Sequence, residues 1–357
     1  MTSVKKILYT FILFLLSIAV ALLAGEGLIR GLYKDKMVLF PRYFTDYWYG
    51  EYHMRRTRPT MKFTHKSVDG VFHFITNEKG FRNVDSTPYL KRPGELRVLV
   101  LGDSHTFGYE VNQQETYAAV AEKLLREKGF DATVINAGIS GTGTAEQLVF
   151  LEQEGLRYDP DVVVMGFFSN DFDDNLKSSF FKLDVRDSLV IDKKEHLPGV
   201  KIQNFIYQFR WVHWLSENSY LYNFAFNTVW DLFKKRSLDQ GKQVVDEMAV
   251  STGEDISPYA FRLEQQLIKK LRSILKDNTQ LIIVDVPNFD SSPSVPLQLV
   301  PTFKEAADTF FYTPAMQSEL AALGATSHVL HGQRHMAPPL HKLLGEKIAA
   351  YIAATYP

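Results

Sequence analysis

The chain has no cysteine, which excludes disulfides, thiolate nucleophiles and thiolate-bound metals while leaving either side of a membrane open. It also lacks any excess of charge, since 40 Lys and Arg face 41 Asp and Glu for a formal net charge of −1. No basic field draws it onto a polyanion, so no nucleic-acid partner is expected. Internal repeats and low-complexity tracts are absent. Two glycine clusters, Gly102 to Gly108 and Gly138 to Gly143, lack the spacing of a dinucleotide or phosphate loop. Asp171, Asp173, Asp174 and Asn175 lack EF-hand spacing and read as a solvated loop. What remains is a chain of 357 residues, 45% hydrophobic, long enough to bury the core of one large domain with extensions.

One long apolar run is present. Ile7 to Ala24 carries no charge, follows Lys5 and Lys6 and is closed by Glu26, which is just enough to span a bilayer. Ala19-Val20-Ala21 offers the small residues of a signal cleavage site. Continuation of the apolar pattern through Leu28, Ile29 and Leu32 favours an uncleaved anchor over residues 1–32. Either way the rest of the chain is expected outside the cytoplasm. Arg30, Lys34, Lys36 and Arg42 on the far side oppose that orientation weakly, because large domains translocate largely regardless of such charges.

Residues 33–94 are aromatic, basic and without a regular period, and read as a stalk and cap. A domain over 95–357 begins where Leu96 to Leu101 forms a short apolar run ended by Gly102, the pattern of a buried strand. Tyr117, Ala121, Leu124 and Leu125 then recur at helical spacing. Thr133 to Ile135 predicts a strand, Thr144 to Leu151 a helix and Val162 to Met165 a third strand. The alternation predicts an α/β fold with a parallel sheet and helices on both faces. An insertion of about 178–256 interrupts it before a helix around Leu263 to Leu275, a strand Leu281 to Val286 and a closing helix Leu343 to Ile352. The insertion is largely helical and crowded with aromatics, among them Phe205, Trp211, Trp214 and Trp230. Packing against the sheet domain is the expected reason.

Three loops at strand ends carry matched chemistry. Ser104, in Gly102-Asp103-Ser104-His105-Thr106-Phe107-Gly108, directly follows the first strand, where an open parallel sheet presents its ligands. A serine opening a helix keeps its own N–H free for an oxyanion, although such a serine is commonly only a cap. Asn136 to Gly143 contributes a glycine-rich turn containing Gly141, and Phe168-Ser169-Asn170-Asp171 an asparagine whose amide suits a developing negative charge. Taken singly, both are ordinary turns. Ser104 lacks a glycine two residues later, which disfavours the nucleophile elbow of an ordinary α/β-hydrolase.

Together these blocks resemble the SGNH, or GDSL, hydrolase superfamily from about Leu96 to the C-terminus. The resemblance implies a flavodoxin-like α/β/α sandwich, Ser104 as nucleophile, and an oxyanion hole of Ser104 N–H, Gly141 N–H and the Asn170 amide. It also implies a carboxylic-ester hydrolase acting without cofactor or metal on an acyl ester, with envelope carbohydrates or lipids the leading substrates. Two other functions remain in view: an O-acyltransferase supplied by a membrane acyltransferase partner, and a non-catalytic binding module. The segment Asn77-Glu78-Lys79-Gly80-Phe81-Arg82 is similar to one in membrane-anchored bacterial members, with no chemistry assigned to it.

The fourth block departs from the family. Its stretch His331-Gly332-Gln333-Arg334-His335-Met336-Ala337-Pro338-Pro339-Leu340-His341 lacks the aspartate that normally precedes the catalytic histidine. Alignment on the closing helix gives His335 the catalytic position and His341 an accessory one. Orientation of His335 then falls to Gln333, a backbone carbonyl, His331 or a distant carboxylate, since loss of the orienting acid elsewhere costs roughly four orders of magnitude in turnover. Zinc binding by His331, His335 and His341 is disfavoured, because Gly332 and the proline pair oppose the helix that would align them.

Overall fold

Five apolar runs become the strands of one parallel sheet, in the order β5-β4-β3-β1-β2, where β1 is Leu96–Leu101, β2 Ala132–Asn136, β3 Val162–Phe167, β4 Gln280–Asp285 and β5 Thr309–Phe311. This computed structural model describes residues 3–39, 41, 43–229, 256–329 and 334–356. The strand order is that of a flavodoxin-like, doubly wound sheet, and its direction of winding reverses between β1 and β3. Val98 pairs with both Val134 and Val162, so β1 lies between them. Every residue of β1 and β3 is buried, which explains why these strands read as unbroken apolar runs.

Alternate residues feed two cores. Leu99, Leu101, Ile135, Met165 and Ile283 face one layer, built largely on the helices Thr144–Gln153 and Pro258–Ser273. Val98, Val100, Val134, Val164 and Ile282 face the other, built on Tyr117–Glu127 and Pro338–Thr355. Ser257 caps the helix beginning at Pro258 through the Ala260 N–H, as Thr116 caps that of Tyr117 through Ala119. The closing helix lies close on Tyr117–Glu127 because Gly345 has no side chain. A Cβ there would stand 2.7 Å from Val120 and 2.8 Å from the Tyr117 carbonyl. Pro338 and Pro339 open this closing helix, a position where the missing N–H costs nothing.

The N-terminal region is more ordered than its irregular sequence suggests. Hairpins Phe44–Tyr49/Tyr52–Thr57 and Lys62–Ser67/Gly70–Ile75 form there. Glu195 and His196 from the insertion join the first hairpin in parallel, making one three-stranded sheet. Phe63, Phe74, Tyr43 and Phe107 stack into a third, smaller cluster that seats this layer on the turn after β1. The insertion's helices Val200–Tyr207 and Arg210–Asn218 pack on these N-terminal strands instead of on the parallel sheet. Phe205, Trp211 and Trp214 are exposed, so the aromatic crowding there is only partly explained by packing. Trp230 lies outside the described residues.

The N-terminal helix, Ser3–Tyr33, includes a span of 30 residues, Val4–Tyr33, with mean hydropathy 2.7 in its most apolar window and none of that window buried. By length and composition it is suited to cross a membrane, as an anchor or a signal sequence. Its far end is joined to the domain. The Glu26 carboxylate accepts from Ser219 Oγ at 2.8 Å and from the N–H groups of Tyr220 and Leu221 at 3.1 and 3.0 Å.

Candidate active site

Ser104 begins a single helical turn, Ser104–Phe107, immediately beyond β1. Asp103 caps it, its carboxylate accepting the His105 N–H at 2.8 Å. Burial pushes the Asp103 carboxyl up to about 6, against that hydrogen bond. Ser104 is half-buried, and its Oγ lies 2.8 Å from His335 Nε2. The distance is that of a nucleophile and base in direct hydrogen bond.

His335 reaches the serine from a short backbone pairing. Its carbonyl accepts the Val329 N–H at 2.9 Å, and the Ala337 N–H donates to Ser327 at 2.8 Å, so residues 327–329 run beside 335–337. His105 braces the same strand, its Nδ1 accepting the Met336 N–H at 3.4 Å and its ring 4.8 Å from that of His335. His341 takes no direct part. It is buried, and its Nδ1 accepts the N–H of Tyr117 at 3.1 Å, at the start of a helix that would otherwise leave this donor unpaired. Burial pushes His341 down to about 3, so it stays neutral.

The missing acid has a structural counterpart. Glu110, fully buried in the turn after Ser104, places Oε2 3.7 Å from His335 Nδ1. Its other oxygen lies 3.6 Å from Nε2 of His65, a buried residue of the strand Lys62–Ser67. Burial alone would raise the Glu110 carboxyl. The His335 and His65 imidazoles more than reverse this and hold it down at about 2. Sequence reasoning missed Glu110 because it looks for the acid beside the histidine. The available signal was a glutamate between Tyr109 and Val111 in a segment otherwise too apolar for a solvated turn. Gln333 and His331, the other candidates for the orienting role, lie outside the described residues.

The unassigned motif Asn77 to Arg82 builds the wall behind this acid. Asn77 Oδ1 accepts the N–H groups of Lys79 and Phe81, and its amide donates to Thr87 Oγ1 at 2.6 Å, fixing the turn. Arg82 is buried over the Phe74 ring and donates to the carbonyls of Phe107, Gly108 and Val111. Three backbone acceptors on either side of Glu110 are thereby tied to one guanidinium, whose rigid fork suits the task.

The two oxyanion candidates line the same cavity as Ser104 and His335, a space of about 840 Å³. Gly141 adopts φ +69°, a left-handed conformation natural to glycine. Asn170 sits at the head of the helix Asp171–Ser178 and lines the cavity, with Nδ2 donating to Asp174 at 3.2 Å and the amide also hydrogen-bonding towards the Asp103 carboxylate. Asn136, from β2, ties the serine turn to the glycine turn by donating to the Thr106 carbonyl at 2.9 Å and accepting the Gly138 N–H at 3.1 Å. Ser104, Gly141, Asn170 and His335 are therefore brought together, whereas His341 stands apart.

A profile of the GDSL-like Lipase/Acylhydrolase family matches residues 100–292, and the chain belongs to that family. An arylesterase of Vibrio mimicus is 37% identical over 75 residues, which span 21% of this chain and 38% of that one. Among solved structures, the lipase/acylhydrolase from Enterococcus faecalis aligns over 72% of this chain and 96% of its own, with 16% identity and a TM-score of 0.39. A two-domain esterase active on acetylated mannans aligns over 73% of this chain and 50% of its own, at 14% identity and a TM-score of 0.39. A catalytic mutant of an acetylxylan esterase from Geobacillus stearothermophilus aligns over 72% and 93%, at 13% identity and a TM-score of 0.38.

Proposed function

We propose that the protein is a serine carboxylic-ester hydrolase with a Ser104–His335–Glu110 triad, acting on an O-acyl ester of an envelope carbohydrate or lipid. The observation that carries this is the Ser104 Oγ to His335 Nε2 hydrogen bond at 2.8 Å, with the Glu110 carboxylate 3.7 Å from the opposite ring nitrogen, close enough for an ion pair and one small shift from a hydrogen bond. His335 takes the Ser104 proton as Oγ attacks the ester carbonyl. Ser104 N–H, Gly141 N–H and the Asn170 amide receive the oxyanion. Collapse expels the alcohol, which leaves with the proton from His335, and an acyl-enzyme remains on Ser104. Water, deprotonated by the same imidazole, then releases the acid and regenerates the serine. Glu110 holds the Nδ1–H tautomer and stabilises the imidazolium without itself being protonated.

Family membership supports the ester chemistry, and the Ser104–His335 hydrogen bond favours it over the binding-module reading. The helix Ser3–Tyr33 serves in this proposal as an uncleaved anchor with the domain outside the cytoplasm. Its support is the engagement of Glu26 and Arg30 by residues 218–221, which makes the end of the helix part of the fold. The deciding experiment is treatment of the full chain with a fluorophosphonate probe followed by peptide mapping. Modification confined to Ser104 is expected. Absence of modification, or modification elsewhere, overturns the serine mechanism.

A further inference from the structure

Arg55 is a half-buried guanidinium in the wall of the catalytic cavity, and no part of the triad or oxyanion arrangement uses it. It lies against Gly141. A Cβ built on that glycine would stand 2.5 Å from Arg55 Nη2, so the absence of a side chain at Gly141 is also what admits the guanidinium. Phe44 supports its flank, with the guanidinium carbon 5.0 Å from the ring centroid. Its Nε is buried without a hydrogen-bond acceptor, and among the described residues Arg55 forms no ion pair. A guanidinium nitrogen withdrawn from water normally has a hydrogen-bond acceptor.

The neighbouring carboxylates are committed elsewhere. Asp46, directly across the hairpin from Arg55, bonds to His53 Nε2 at 3.0 Å and to Asn204 at 2.6 Å. Asp174 bonds to Asn170 and to Lys177. Glu146 accepts the Gly143 N–H, and burial pushes its carboxyl up to about 8, against the pull of Arg55, so it is largely uncharged at neutral pH. Asp290 lines the same cavity and accepts the Ser292 N–H. Among the described residues Arg55 thus has no directly paired carboxylate, and Glu146 and Asp174 support its charge only from a distance. Arg334, stacked over Phe289 in the same cavity, adds a second positive charge at the mouth.

We propose that Arg55 is an anion-binding residue for the substrate, and that the scissile ester belongs to a molecule bearing a carboxylate or phosphate close to the acyl group. The charged group would reach Nη1 and Nη2 in the two-pronged geometry that guanidinium offers to oxyanions. This inference rests on the esterase reading and narrows it to acidic esters, such as an acylated uronic acid or sugar phosphate, or an ester of a dicarboxylic acid.

The test uses the full-length protein and matched substrates. On the alcohol side, acetylated methyl glucoside is compared with acetylated glucuronic acid and acetylated glucose 6-phosphate. On the acyl side, 4-nitrophenyl butyrate is compared with mono-4-nitrophenyl succinate. In at least one series the anionic member is expected to have a kcat/KM about tenfold or more above its neutral counterpart, with the advantage shrinking in about 0.5 M salt. R55Q is expected to bring that ratio to within about twofold of unity through KM, and R55K to keep part of it. Equal or lower turnover of the anionic members by the wild type overturns the proposal even if R55Q fails to fold. So does an unchanged ratio in R55Q. An equal fall in kcat on both members would assign Arg55 to the oxyanion instead. If Ser104 is labelled by a fluorophosphonate but shows no anionic preference, this inference alone fails; if neither labelling nor turnover occurs, the esterase reading fails and takes it along.

Discussion

Glu110 Oε2 faces His335 Nδ1 at 3.7 Å, while the opposite nitrogen of the same ring meets Ser104 Oγ at 2.8 Å. A carboxylate six residues after Ser104 thus faces the ring nitrogen that the proposed mechanism assigns to an orienting acid. Glu110→Gln keeps the shape and removes the charge, so kcat is expected to fall by roughly two to four orders of magnitude with KM little changed. Steady-state kinetics on a short 4-nitrophenyl ester measure this. Turnover within about threefold of wild type would return the orienting role to another acceptor. Because Glu110 is held at about 2, no loss of activity through its protonation is expected until the pH approaches that value.

His335 and His341 separate cleanly by variant. His335→Ala is expected to be as inactive as Ser104→Ala. His341→Asn retains an acceptor for the Tyr117 N–H and should stay active, with a modest loss of stability from imperfect fit. The pH dependence has a definite sign. His341 is held neutral in the fold with its pKa pushed down to about 3, so the unfolded chain binds the extra proton first as the medium is acidified. Its contribution is complete above the ordinary histidine range and is lost as pH falls through that range towards about 3. Thermal melts should therefore show the wild type's advantage over H341N shrinking between neutral pH and about pH 5. A gap that widens on acidification would show that His341 gains, rather than resists, a proton.

Asn170→Ala removes a single donor from the proposed oxyanion arrangement. Turnover is expected to drop by roughly two to three orders of magnitude, as for one lost donor in other acyl-transfer enzymes. The substrate constant should move far less, because the interaction matures only as charge develops on the carbonyl oxygen. A variant with raised KM and unaltered kcat would place Asn170 in ground-state binding.

The parallel sheet was legible because its strands are buried on both faces and their apolar runs are continuous, as at Leu96–Leu101 and Val162–Phe167. Thr309–Phe311 was not, being three half-buried residues with no period to read. The N-terminal hairpins escaped notice for a different reason. Their strands place Arg55, Arg56, His53 and His65 among aromatics, and these polar residues are accommodated by Phe44, Tyr47, Trp48 and Phe72 through ring contacts that no alternation reveals. Ser104, Gly141, Asn170 and His335 could be named from local pattern since each lies in a recognisable loop. Glu110 depends on a long-range meeting with residues 65 and 335, and only tertiary structure brings those together.

Trp211 and Trp214 are each 64% exposed, at helical neighbour spacing on Arg210–Asn218, while Val212 and Ser216 of that helix are buried. The helix ends against the apolar N-terminal one: Arg30 donates to the Asn218 carbonyl at 3.0 Å, and Glu26 accepts from Ser219, Tyr220 and Leu221. Glu26 lies just beyond the uncharged run Ile7 to Ala24, so in an anchored protein this junction sits at the bilayer surface, the depth that tryptophan favours. The expectation is that tryptophan emission of the full chain in vesicles is quenched by lipids brominated near the headgroup. W211F/W214F should lose most of that quenching while remaining in the membrane fraction after carbonate extraction. Quenching that survives in the double variant would assign it to another tryptophan. Its absence in the wild type would put the aromatic face in water and leave the anchor as the sole contact with lipid.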